Sequence, residues 1–318
     1  MNETEKNYRR VMSSLGSKLL LFLLMLYAST FAVQFLAALL APYMSAQSNE
    51  IIFGILSAVV YFASFTLAAW FYHLTAKKVR PEPVRFTPKL PANAFLIIFA
   101  GVACTFTLSM INSIAVSLLG FGGGEEIFRY PTEFSKDSSI IIQFISVAIV
   151  PAFCEEVLFR GVVLSNLMPY GKANAILVSA LLFGLMHGNL YQFLYATAAG
   201  IVMGCVYVLT ESIWCSILLH FINNTISVFQ LAITDRFSAE YSWIIVAVME
   251  CILLFVGIVC AYFIITKKDK EGRGVAFESL TFSKRMTPAQ CAKGFLVPTV
   301  LIFSIISILL ALMTVSLV

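Results

Sequence analysis

Apolar runs of about twenty residues recur along the whole chain, and a soluble fold could not bury them all. Each run is long enough to cross a hydrocarbon layer about 30 Å thick as a helix. A helix also satisfies its own backbone hydrogen bonds where water is absent. The runs lie near 19–41, 51–76, 93–119, 138–168, 173–187, 190–209, 211–233, 241–266 and 294–317, nine candidate spans. Sixty per cent of the 318 residues are hydrophobic and 12% are charged, which removes the chain from the soluble globular class. The expected fold is all-α, a polytopic transmembrane helical bundle with an eight-helix core and a ninth C-terminal helix. The first run is too long for the core of a cleaved signal peptide and lacks a small-residue cleavage site, so it reads as a retained helix. The 173–187 run is short and meets the next at Gly188-Asn189, so the two should form a hairpin.

Lys and Arg set the expected orientation. They cluster at Lys6, Arg9, Arg10 and Lys18, again at Lys77, Lys78, Arg80, Arg85 and Lys89, and again across 267–293, with Lys172 between spans four and five. The alternate loops hold Arg129, Lys136 and Arg236 beside Glu125, Glu126, Glu133 and Asp137. By the positive-inside rule the N-terminus is cytoplasmic and, with nine spans, the C-terminus is outside. The location expected is the plasma membrane. The net charge of +4 is no nucleic-acid signal, and no nucleic-acid partner is expected. Seven scattered cysteines without a CxxC pair read as apolar packing residues.

Against this background, Glu155, Glu156 and Arg160 stand inside an apolar span. Ionisable groups at membrane depth are costly and point to function. His187, His220 and Asn224 lie in neighbouring spans. With a rise of about 1.5 Å per residue, Glu155, His187 and Asn224 fall roughly 20 Å, and His220 about 14 Å, from the side expected to be cytoplasmic. Glu156 and Arg160, four apart, should pair along one helix face, leaving Glu155 free of that pair. His220 shares a face with Asn224, and Phe183 shares one with His187. Pro151, one turn before the acids, frees a backbone carbonyl and can kink the helix. Of the remaining features, Ala196, Gly200 and Gly204 read as a packing ridge. His73 reads as interfacial, Glu250 as a second candidate for the cavity, and Gly122–Glu126 as an external loop.

A carboxylate between imidazoles can act as general base on water. Two imidazoles with a carboxylate or amide can instead bind a divalent metal such as Zn, with His187 and His220 as ligands. His220 and Asn224 could donate to a developing oxyanion. HExxH, GxSG and GxGD signatures are missing from the sequence. Carboxylates and histidines at this depth also suit a proton-coupled carrier, and a non-catalytic immunity or scaffold protein is a third reading.

The ordered set Glu155-Glu156-x-x-x-Arg160, Phe183-x-x-x-His187 and His220-x-x-x-Asn224 resembles the CPBP family of intramembrane proteases. This is the CAAX-prenyl-protease-2-like or Abi group, which includes the Ras-converting enzyme. The resemblance covers about 138–233 and divides the chain into 1–137 with three helices, this core, and 234–318 with helices eight and nine. It implies an intramembrane endopeptidase acting on a peptide or protein substrate, lipidated in some members, in contact with membrane lipid. It further implies that Glu155 activates water and that Glu156 and Arg160 orient the site. By the same resemblance His187 positions the water, and His220 with Asn224 forms the oxyanion-binding or metal-binding part.

Overall fold

The computed structural model describes residues 2–75, 90–91, 93–118, 140–266, 280 and 286–316, and the regular structure in them is helical. The basic residues of 77–89, the loop with Gly122–Glu126, and the connector residues 267–279 and 281–285 lie outside the described residues.

Ten helices follow one another: α1 (Glu3–Leu40), α2 (Ala46–Thr75), α3 (Ala94–Leu118), α4 (Ile140–Tyr170), α5 (Lys172–Met186), α6 (Leu190–Thr210), α7 (Ile213–Arg236), α8 (Ala239–Thr266), α9 (Pro288–Leu296) and α10 (Pro298–Ser316). Seven of them, α1–α4 and α6–α8, are long and apolar enough to cross a membrane. The protein is a multi-pass helical membrane protein. The run at 173–187 becomes the short α5. The last run is broken, because α9 and α10 meet at a 75° bend. The bend has a local cause. Pro298 cannot donate a backbone hydrogen bond and pushes the residue before it out of the helical region, and Val297 sits at φ −67°, ψ 129°.

Two apolar clusters hold the bundle together. One joins α1, α2, α4, α5, α6, α9 and α10 with Ile213 at the start of α7. The other joins α3, α6, α7 and α8. Helix α6 serves both, with Ala196 and Tyr207 in the first and Ala199 and Met203 in the second. On α1 the buried positions Tyr8, Met12, Leu15, Leu19 and Phe22 recur every three or four residues, the spacing of one helix face. Gly16 in that face lets α10 come close, and a Cβ there would lie 2.7 Å from the Val300 backbone nitrogen. Tyr8 donates to the Cys291 carbonyl at 2.9 Å, and Thr299 donates to the Ser13 carbonyl at 3.0 Å. The ninth span is therefore packed into the first cluster. The sequence predicts a ninth helix outside an eight-helix core, because nothing local shows that α1 keeps an apolar face free for it.

Helix α4 is wrapped by α2, α5 and α7. The α5–α6 hairpin forms at the expected turn. Gly188 adopts φ +57°, the left-handed conformation that closes a helix C-terminus, and the Asn189 side chain accepts from the Tyr191 N–H at 2.9 Å to start α6. A Cβ on Gly188 would meet the Tyr27 hydroxyl at 2.8 Å and Leu310 at 3.5 Å. The hydroxyl can swing aside, so the backbone decides the outcome. Gly188→Ala is expected to lose about 1–2 kcal/mol of stability, the cost of a left-handed residue bearing a Cβ. The check is the thermal unfolding midpoint in detergent.

Candidate functional site

The acids of α4 lie between two stretches that depart from regular α geometry. The Val150 N–H reaches back five residues to Ile145, and the Ser165 N–H reaches back five to Arg160, the wider π spacing. Such bulges occur often at functional sites. The uniform rise assumed from sequence therefore does not hold along α4. Pro151 contributes to this, since it has no N–H for the carbonyl of Val147 one turn earlier. That carbonyl is taken by α7 instead, where Asn224 Nδ2 donates to it at 2.9 Å. Asn224 and His220, one turn apart on α7, thus serve different partners. Asn224 holds the α4 backbone and His220 meets its acids.

Glu156 and Arg160 form the expected pair at 2.8 Å, both almost wholly buried. The spacing predicts this pair along one helix face. In the structure Glu156 Oε1 also lies 3.0 Å from His220 Nδ1. His220 Nε2, on the other edge of the ring, lies 3.8 Å from Glu155 Oε2. One imidazole therefore bridges the two adjacent carboxylates. It can do so because Glu155 and Glu156 leave α4 about 100° apart and α7 passes across both directions.

Arg160 is committed on three sides. Nη1 faces Glu156, Nη2 donates to the Gly200 carbonyl at 3.0 Å, and its guanidinium carbon lies 4.8 Å from the centre of the Phe183 ring. Gly200 belongs to the expected packing ridge. A Cβ there would come within 3.1 Å of the Ala180 backbone, so the missing side chain lets α5 and α6 close up.

Phe183 is the common wall of the site. Its ring meets the His187 ring edge-to-face at 4.9 Å and the His220 ring at 6.1 Å. His187 is the first residue after α5, and its Nδ1 lies 2.8 Å from the Phe183 carbonyl. A carbonyl can only accept, so Nδ1 carries the proton and Nε2 of a neutral ring is left as an acceptor. The same reasoning applies to His220, whose Nδ1 faces a carboxylate oxygen held by Arg160.

One contact could not be anticipated from the motifs. The hydroxyl of Tyr61, on α2, donates to Glu155 Oε1. Glu155 Oε2 is buried and has no hydrogen-bond partner among the described residues. Nothing in α2 marks Tyr61 off from the aromatics around it, and only the packing of α2 on α4 selects it. Glu250 is half-buried on α8 and has no described hydrogen bond to the site. His73 is exposed at the last turn of α2.

As a metal centre the donor set fits poorly. His187 and His220 each use Nδ1 internally and keep Nε2, but among the described residues no three His, Cys, Asp or Glu side chains converge closely enough to hold one ion. Beside the site, α2 and the first half of α4 line an open cavity of about 310 Å³, with Gly54, Ala58 and Phe62 on one side and Ile142, Ser146 and Val150 on the other.

Residues 137–226, which include every motif residue above, match the family described as type II CAAX prenyl endopeptidase Rce1-like. A Bacillus subtilis (strain 168) protein named "Putative membrane peptidase YdiL" is 32% identical over 108 residues. That match covers 33% of this chain and 43% of the relative, so the chain spans less than half the length of the curated relative it matches. No solved structure matches the chain at a significant level.

Proposed function

We propose, from the Rce1-like match over residues 137–226, that this protein is an intramembrane endopeptidase in which Glu155 activates the attacking water. The observation that carries the reading is the unpartnered Glu155 Oε2, buried beside His220 Nε2 at 3.8 Å. A buried carboxylate oxygen without a donor is expensive unless water or substrate serves it.

The chemistry follows from the donors and acceptors present. A water donates one hydrogen to Glu155 Oε2 and the other to His187 Nε2, which turns its lone pairs towards a carbonyl carbon. As its oxygen bonds to that carbon, the proton passes to Glu155, and the carbonyl oxygen gains negative charge. Nε2 of His220, when it carries a proton, and the second N–H of Asn224 are the groups that can donate to that oxygen. The C–N bond then breaks, and Glu155 returns the proton to the leaving nitrogen. Glu156, Arg160 and Phe183 hold the imidazoles in place.

The cavity between α2 and α4 is apolar and lies against the segment that carries the acids. It suits a hydrophobic side chain or a lipid group on the substrate. The orientation with a cytoplasmic N-terminus, placement in the plasma membrane and a peptide or protein substrate belong to the same reading.

The test is cleavage of a peptide library by the purified protein in proteoliposomes, with metal content measured alongside. New termini are expected, at undiminished rate after chelation. Loss of activity on chelation, restored by stoichiometric Zn, would replace the glutamate mechanism with a metal-assisted one. Solute flux without cleavage would favour the carrier.

A further inference from the structure

The geometry points to Tyr61 as a positioning residue that selects which oxygen of Glu155 reacts, an inference that rests on the peptidase reading. Tyr61 comes from α2, outside the segment 137–226 that matches the family.

A glutamate carboxylate has two chemically equivalent oxygens, and rotation about its last torsion is soft and two-fold. A base of this kind loses geometric definition unless one oxygen is pinned. In this site the Tyr61 hydroxyl is bound to Oε1, and Oε2 is left free towards His220 Nε2, 3.8 Å away. The two oxygens are thereby assigned different tasks. Oε1 is the anchor, and Oε2 takes the proton from water.

The tyrosine is itself well held. Its ring packs on Phe65 with centroids 4.7 Å apart, and Phe65 packs on Phe22 of α1 at 4.4 Å. Phe65 and Phe22 are fully buried. The hydroxyl is therefore presented to α4 from a fixed aromatic stack, as an anchoring donor requires. Glu155 has the opposite need. Its own helix is locally widened on both sides, at Phe144–Ile149 and Val157–Leu164. The anchor comes from a helix that carries none of the motif residues.

Tyr61→Phe tests this with the smallest change, since the ring and its stacking on Phe65 remain. The expected result is a kcat about 10- to 100-fold lower, the scale of a misplaced catalytic group, with KM within about twofold of wild type. The thermal unfolding midpoint in detergent should fall by no more than about 4 °C, the scale of one lost hydrogen bond to a buried oxygen, since the packing is retained. A wild-type kcat in this variant overturns the inference. So does a larger fall in the midpoint, or failure to purify as a folded protein, because either would assign the hydroxyl to the fold. Glu155→Gln is run beside it. If that variant still cleaves, the peptidase reading itself has failed. If it is inactive while Tyr61→Phe is fully active, only the role of Tyr61 has failed.

Discussion

Glu155→Gln is expected to lower the cleavage rate by about 10³-fold, within the range supplied by a positioned general base. The substitution suits the site because glutamine keeps the shape of the side chain. Its carbonyl oxygen can still accept from Tyr61, so the contact between α2 and α4 survives. The nitrogen that replaces Oε2 is a donor and cannot take a proton from water. Stability should be little changed, because a buried charge is removed while an amide nitrogen with no described partner takes the place of Oε2. Activity near wild type, measured on protein that inserts and unfolds as usual, would remove Glu155 from the chemistry and leave the carrier and scaffold readings standing.

Arg160→Ala is expected to destabilise the protein by about 3–5 kcal/mol, the cost of leaving a buried partner charge uncompensated. Glu156 is fully buried and has no water to turn to. The same substitution strips a donor from the Gly200 carbonyl and a cation from the face of Phe183. Arg160→Lys should fall between wild type and Ala. A lysine restores the charge but cannot present one nitrogen to Glu156 and another to Gly200 while lying flat on a ring. Unfolding midpoints of the three proteins in one detergent check the order. Equal midpoints for Lys and Ala would show that the forked geometry, and not the charge, is what the fold requires.

The two predictions separate functions that the sequence places side by side. Glu155 and Glu156 are adjacent and chemically identical, so their difference depends on what surrounds them. The i,i+4 spacing was enough to pair Glu156 with Arg160, since that pairing is local to one helix. It was not enough to show that His220 bridges both acids, because the bridge depends on how α7 crosses α4. Asn224 shows the same limit. Its place one turn from His220 suggested a shared target, yet the carbonyl freed by Pro151 draws it to Val147. Both halves of that contact are visible in the sequence, as a proline within a helix and an amide on another, but their meeting is not.

The sequence by itself determined that the chain is a bundle of membrane helices and which of its few polar residues stand out as candidates for chemistry. In an apolar chain each buried charge costs free energy, so the exceptions identify themselves, and helix length and spacing are local properties of the backbone. Only the tertiary structure decided that Tyr61 reaches Glu155, that Phe183 joins both imidazoles and Arg160, and that α9 and α10 pack against α1 beside the His187 turn. These contacts join residues far apart in the chain. They depend on the angles and depths at which helices cross, and those are set by the summed packing of many apolar side chains that no short motif encodes.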